Sequence, residues 1–211
     1  MKTTEFITTF ALLCASANAA VMIQPTGVTS NAGLFSTSYQ LTNLINKDGL
    51  SASYTSGVTD YATYLAQGAT QASSPLTQYA VMTDDRTTAT FDFDLGGTFN
   101  LSHILLWNGP DSASTRVSTF TVSISASPTF TTSQNLGTFI SDPDEAHPVS
   151  VEGFDLSTVG QGRYVRLSVT NDGGPRILLG EVAFGGDAIP EPSTLLVTAL
   201  GALGLFRRCR A

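Results

Sequence analysis

Apolar residues recur at every second position through much of this chain, and that period constrains the backbone more than any other feature. In Ser118–Ala126, Phe120, Val122, Ile124 and Ala126 alternate with Thr119, Thr121, Ser123 and Ser125. Ala89, Phe91, Phe93 and Leu95 alternate with Thr90, Asp92 and Asp94, after which Gly96-Gly97 is expected to turn the chain. In Arg163–Thr170, Val165, Leu167 and Val169 alternate with Tyr164, Arg166 and Ser168. Successive side chains of a strand point to opposite faces, so each segment predicts a strand with one dry and one wet face. Phe99–Asn108 is apolar at both parities and predicts a central strand covered on both sides. Ile177–Phe184 reads as the last strand, and Asn135–Ile140 and Val149–Phe154 as shorter ones. Asn108-Gly109-Pro110, Ser127-Pro128, Asp142-Pro143 and Asp172-Gly173-Gly174 supply the turns between them.

Helix is scarce. Tyr39–Lys47 is the best candidate, with Ser38 as cap, Leu41, Leu44 and Ile45 as an apolar stripe, and Gly49 as stop. Residues 50–88 show no period, so they are either a large functional loop or contain strands without a sequence signature. The expected fold class is all-β: an antiparallel jelly-roll β-sandwich of about eight strands with one short helix.

The 211 residues carry 10 Lys+Arg against 17 Asp+Glu, a net charge of −7, which argues against a nucleic-acid partner. An apolar share of 42% is too high for a disordered chain. The two ends differ from the middle. Lys2, the apolar run Phe6–Ala15 and the Ala17-Asn18-Ala19 site have the three parts of a secretory signal peptide, cut after Ala19. At the other end, Pro190-Glu191-Pro192 precedes an apolar run, Thr194–Phe206, and the basic end Arg207, Arg208 and Arg210. As a helix this run is about 20 Å long, short of the hydrocarbon core of about 30 Å. With its arginines held on the cytoplasmic side, it suits transient insertion in the inner membrane.

That tripeptide, apolar run, basic end and terminal position together resemble the PEP-CTERM sorting signal of Gram-negative bacteria. The resemblance implies processing by an exosortase near the PEP tripeptide, export through the inner membrane, and a cell-surface or extracellular destination linked to exopolysaccharide and biofilm production. The expected organisation is a signal helix over 1–19, a folded domain over 20–188 and a sorting tail over 189–211. The domain holds six basic and fifteen acidic residues, a net charge of −9, with Lys47 its only lysine. Cys14 and Cys209 both lie in the ends, so disulfide, thiolate and Cys-metal chemistry are excluded from the domain.

Four blocks inside the domain carry a second resemblance. Leu41-Thr42-Asn43-Leu44-Ile45-Asn46, Phe91-Asp92-Phe93-Asp94-Leu95-Gly96, Arg163-Tyr164-Val165-Arg166-Leu167 and Leu179-Gly180-Glu181-Val182-Ala183-Phe184 are similar, in order, to blocks of discoidin-like (coagulation-factor type C) domains. This resemblance implies an eight-stranded jelly roll of galactose-binding-like topology that binds carbohydrates, lipid headgroups or proteins with loops at one end. It also implies one structural Ca²⁺ on the positions matching Asn46, Asp48 and Glu181. The chain departs from the pattern there: Asn46 stands where Asp is common, and Lys47 where Gly is usual. Glu181 reads either as a Ca²⁺ ligand or as a buried carboxylate served by an arginine or backbone donors.

Catalytic signatures are absent from the sequence: no G-x-S-x-G, H-E-x-x-H or P-loop occurs. His103 reads as a structural histidine on the face of Leu101, Leu105 and Trp107. His147, after Asp142-Pro143-Asp144-Glu145, reads as part of a solvated acidic turn or a cation loop. Asp94 suits an arginine partner from Arg163 or Arg166. Sugar sites pair an aromatic platform with polar groups, which makes Tyr54, Tyr61, Tyr64 and Arg176 the ligand-binding candidates. The tyrosines read alternatively as loop packing, and Trp107 as core. The expected function is a non-catalytic, exported protein that binds carbohydrate, such as exopolysaccharide. The alternatives are a structural or adhesive surface protein, and more remotely a hydrolase.

Overall fold

The structure is a computed structural model and describes residues 19–75, 78–83, 85–110, 114–141 and 148–189. The signal-peptide features through Asn18, Asp84, the Asp142–His147 turn and the tail from Pro190 onward, with its expected apolar helix, lie outside the described residues.

The strands are β1 Val21–Ile23, β2 Gly27–Ser30, β3 Thr70–Gln71, β4 Ala80–Val81, β5 Thr88–Asn108, β6 Val117–Ser125, β7 Gln134–Ile140, β8 Val149–Asn171 and β9 Leu178–Ala188. One short helix, α1 Tyr61–Ala66, lies between β2 and β3. All nine strands pair antiparallel in one hydrogen-bonded sheet. Its order is β1-β9-β5-β8-β6-β7, with β2 on β5, β3 on β8 and β4 on β9.

The sheet becomes a sandwich because its two longest strands fold over together. From Thr88 to Asp94, β5 pairs with β2 and with Tyr164–Thr170 of β8, which in turn pairs with β6. From Phe99 to Asn108, β5 pairs with β9 and with Val151–Gly162 of β8. The register breaks between Asp94 and Phe99, at Gly96 with φ of 77°. Such a left-handed residue suits glycine, and a bulge there bends both strands. The Gly96-Gly97 turn is therefore a corner within one strand, not the end of a hairpin arm. By the same corner, the segments expected separately at Val149–Phe154 and Arg163–Thr170 are one strand. Phe93 of one layer meets Phe184 of the other edge-on, ring centroids 5.6 Å apart.

Between the layers lies the main core, including Ile23, Phe91, Phe93, Ile104, Phe120, Val122, Ile124, Val165, Leu167, Val182 and Phe184. Ile104 and Leu106 face this core, whereas Leu105 and Trp107 face a second cluster on the back of the same layer, with Met22, Tyr54, Tyr61, Tyr64 and Ala183. Phe99–Asn108 is covered on both sides, as its composition requires. The register slips between Leu101 and His103, which turns Leu101 toward the main core. His103 therefore does not share a face with Leu101.

Residues 50–88 hold α1, β3 and β4. Asp60 caps α1 through a hydrogen bond accepted from Thr63 N at 2.7 Å. The expected helix over Tyr39–Lys47 is only a 3₁₀ turn, Leu41–Leu44, with no side-chain cap from Ser38 or Gln40. Bonds from Asn43 N to Gln40 O and from Ile45 N to Thr42 O tighten it, while Asn43 is drawn inward to donate to Tyr79 O at 3.0 Å.

On the wet face of the first layer, Asp92 and Asp94 are each held by an arginine. Arg166 donates to both oxygens of Asp92 at 2.7 and 2.8 Å, and Arg163 to both of Asp94 at the same distances. Arg166 sits directly across from Asp92 in the register. Both Arg166 and Asp92 stay partly exposed, so solvent screens them; a double-mutant cycle at Asp92 and Arg166 is expected to return about 0.5–1 kcal/mol. A coupling near zero would show that the paired geometry contributes no stability.

Candidate functional site

Hydrogen bonds hold both ends of the described residues: Ala20 O accepts from Tyr61 N at 2.9 Å, and Ile189 N donates to Thr98 O at 3.0 Å. Two places within it collect the candidate residues.

The first lies under the turn Asn46–Gly49. Lys47 takes a left-handed conformation, φ of 65°, and its N–H points at the buried Glu181, donating to Oε2 at 2.9 Å. Glu181 N donates to Gln71 Oε1 at 3.1 Å, and Gln71 Nε2 reaches Asp48 O and Gln78 O, both at 3.3 Å. One glutamine thus ties the turn to β9. Glu181 Oε1 and the Tyr54 hydroxyl are buried and have no hydrogen-bond partner among the described residues. Burial pushes the Glu181 carboxyl up to about 8; the Lys47 amide and ammonium oppose that rise, and Asp48 adds to it. Burial and the Glu181 charge likewise push the Tyr54 phenol up. Lys47 Nζ donates to Tyr54 O at 3.2 Å and lies 4.9 Å from its ring centroid.

The side chains of Asn46 and Asp48 bond within the turn, whereas the Asn46 backbone, like that of Lys47, faces the Glu181 carboxyl. Asn46 Oδ1 accepts from Asp48 N at 2.9 Å, and Asn46 Nδ2 donates to Asp48 Oδ2 at 3.1 Å. Among the described residues no group of three or more His, Cys, Asp or Glu is placed to hold a metal ion. A cation at this turn therefore needs neutral oxygens alongside Glu181 and Asp48. Ca²⁺ accepts that mix, and the orphaned buried oxygen of Glu181 near Asp48 fits it, although the Lys47 ammonium of the same turn opposes a cation.

The three candidate tyrosines are not surface platforms. Tyr54, Tyr61 and Tyr64 are 4%, 5% and 0% exposed, and their rings belong to the second core. Tyr64 Oη donates to Ala52 O at 2.8 Å and its ring meets Tyr54 edge-on at 5.2 Å. Tyr61 stacks on His103 at 4.0 Å. They turn inward because α1 and β3 lay this segment across the back of β5, where Leu105 and Trp107 need cover. Trp107 is fully buried there, its Nε1 donating to Ala69 O at 2.9 Å. His103 is structural: its Nδ1 lies 2.7 Å from Ser102 Oγ and its Nε2 3.4 Å from Asp155, while burial lowers its pKa.

Arg176 is the sugar candidate that stays at a surface. Asn171 Nδ2 donates to Gly174 O and Arg176 O, at 3.2 and 2.6 Å, and so fixes the turn before β9. The Arg176 guanidinium sits 4.4 Å from the ring centroid of Phe35, which is 41% exposed. Tyr39 lies beyond, 6.0 Å from Phe35 centroid to centroid. Phe35 is anchored through its N–H to Val81 O at 2.9 Å. An exposed aromatic, a second ring and a guanidinium thus meet at one loop end. Phe35 and Tyr39 escaped the sequence reading, although aromatic residues isolated among Ser36, Thr37 and Ser38 were a usable signal.

Solved structures share this architecture. The chain matches the CBM32 of AlyQ, in complex with 4,5-unsaturated mannuronic acid, with a TM-score of 0.50 and 16% identity, covering 78% of this chain and 97% of that one. It spans only 35% of a truncated AlyQ that also carries alginate lyase domains. The family 32 CBM of Clostridium perfringens NanJ, in complex with galactose, matches with a TM-score of 0.52 and 8% identity over 79% of this chain and 98% of that one. A fucolectin from striped bass (Morone saxatilis) serum matches with a TM-score of 0.54 and 16% identity over 79% of this chain and 48% of that one. The chain thus has the jelly-roll β-sandwich fold of these structures. Residues 188–211 match the PEP-CTERM protein-sorting motif, so the chain pairs this fold with a C-terminal sorting signal. No curated protein matches the chain.

Proposed function

We propose that this chain is an exported, non-catalytic carbohydrate-binding protein of the cell surface or extracellular matrix. Three findings support the reading. The sorting motif at 188–211 implies exosortase processing after transient inner-membrane insertion of the Thr194–Phe206 segment, in a Gram-negative host. The fold match fills the AlyQ CBM32 almost end to end. The observation that carries the binding claim is the loop-end cluster of Phe35, Tyr39 and Arg176, because a pyranose ring stacks on an aromatic face while a guanidinium donates to its hydroxyls. The ligand we assign is exopolysaccharide. Glu181, with Asp48 and Asn46, would hold one structural Ca²⁺, which would stabilise the turn and neutralise the buried carboxylate.

The test is binding to the host's own exopolysaccharide and to a glycan array. Phe35→Ala and Arg176→Ala are each expected to weaken binding by about tenfold or more, one stacking or charged contact each. Tyr64→Phe, which removes a buried hydroxyl only, should leave affinity unchanged. Silence of the wild-type protein toward every glycan would leave a structural or adhesive role.

A further inference from the structure

A groove lies on the wet face of the first layer, apart from both places described above. It has a volume of about 370 Å³ and is lined by Gly27, Thr29, Asp92, Asp94, Phe130 and Tyr164, with Val28, Phe93 and Pro128 completing its walls. That volume is in the range of small-ligand sites, about 300–1,000 Å³.

Its floor carries the carboxylates of Asp92 and Asp94, each bridged by an arginine that does not itself line the groove. In a bidentate pair an arginine uses about two of its five N–H donors, and the carboxylate keeps lone pairs. The bridged carboxylates therefore present acceptors at fixed positions along the floor. Its walls are aromatic. Tyr164 lies across from Asp94 in the register, with the Arg163 guanidinium 5.3 Å from its ring centroid. Phe130 comes from the β6–β7 loop, which folds back so that the ring lies 4.2 Å from the Arg166 guanidinium.

Phe130 is held there against its own preference. Its φ is 50°, a left-handed conformation rare for a bulky residue. The loop is stapled from within. Phe130 N donates to Ser127 O at 3.2 Å, Ser125 Oγ donates to Thr132 O at 2.7 Å, and Ser127 N donates to Ser125 Oγ at 3.0 Å. Strain of this kind persists only where surrounding bonds over-determine it, and it gathers at ligand clamps.

We infer that this groove is a second binding site, for one neutral pyranose ring of a glycan. Aromatic walls serve the C–H faces of such a ring, and the fixed carboxylates accept hydrogen bonds from its hydroxyls. Charge selects against other ligands. A uronate meets the carboxylates of Asp92 and Asp94, while the arginines bridged to them cancel the net charge that would otherwise draw an amine. The site does not depend on the loop-end reading. Together the two would let one chain hold a polysaccharide at two points.

Titration of the full-length protein with methyl β-galactopyranoside, methyl β-glucopyranoside and methyl α-mannopyranoside tests this, with glucuronate and glucosamine as charged probes. At least one neutral glycoside should bind, and the charged probes should bind about fivefold or more weakly. Phe130→Gly suits the positive φ and removes the ring; it is expected to weaken neutral-glycoside binding about tenfold. Thr29→Trp, which fills the groove from β2, should do the same. Phe35→Ala should leave this binding in place. The inference is overturned if Phe130→Gly and Thr29→Trp leave affinity unchanged, if uronate binds as tightly as the neutral glycosides, or if no neutral glycoside binds. Loss through Phe35→Ala alone would overturn the groove and leave the loop-end site standing.

Discussion

Trp107→Ala is expected to destabilise the protein by about 3–5 kcal/mol, the usual cost of removing a large buried aromatic. Trp107 is fully buried, and it joins the back of β5 to Tyr64 at 6.4 Å and to Ala69 O through its indole N–H. Its loss would open a cavity and leave a buried carbonyl unserved, two costs that add. Trp107→Phe refills most of the space but not the hydrogen bond, so about 1–3 kcal/mol is expected for it. Urea unfolding followed by circular dichroism measures both, since Trp107 is the only tryptophan and fluorescence would vanish with it. A loss below about 1 kcal/mol for Trp107→Ala would mean that residues 50–72 are an appendage, not the cover of a second core.

Metal-free protein is expected to lose stability as pH rises from about 5 to about 8. Glu181 ionises near 8 in the folded state against an ordinary value of 4.5. Between those values the folded protein keeps a proton that the unfolded chain has released. Stability then falls with pH through that window, and the group contributes no penalty below it. The total is on the order of a few kcal/mol, because each tenfold change in acidity corresponds to about 1.4 kcal/mol. Glu181→Gln should flatten the profile. Ca²⁺ added near pH 8 to EDTA-treated protein should raise the melting temperature of the wild type and not of Glu181→Gln, because a cation compensates the buried charge. A flat profile in EDTA would show that Glu181 ionises without penalty. Unchanged melting in Ca²⁺ would remove the proposed metal.

The main strands were legible because their signal is local. A strand with one buried face must alternate, and β6, the first half of β5 and the second half of β8 do so visibly in the sequence, while Phe99–Asn108 shows its two buried faces by being apolar at both parities. What stayed hidden was short or irregular. β1, β3 and β4 have two or three residues each, too few to show a period, and Asp60 caps a helix of only six residues. Corners were misread for a related reason. Gly96 and Gly97 announce a change of direction, but the letters alone do not distinguish a hairpin from a bulge that carries one strand into the next layer.

Candidate residues divided along the same line. Glu181 could be suspected as buried from its apolar neighbours, and an arginine partner for Asp94 from its charge, although Arg163 shares the parity of the dry-face residues Val165 and Leu167. The tyrosines could not be placed, because an amphipathic ring packs as readily inward as outward, and only the cover required by Leu105 and Trp107 decided it. Phe35 and Arg176 are 141 positions apart in the chain. Their meeting depends on how the loops at one end of the sandwich are held.

By itself, then, the sequence determined the strand periodicity, the sandwich class, the absence of cysteine between Ala20 and Ala188, and a sorting tail at the C-terminal end. These follow from composition and short-range pattern, which a linear chain states directly. Only the tertiary structure decided which aromatic residues face solvent, which carboxylate loses its water, and that Phe130 closes a groove over two ion pairs. Those properties belong to contacts between residues far apart in sequence, and burial, the cause of each, exists only after the layers have closed.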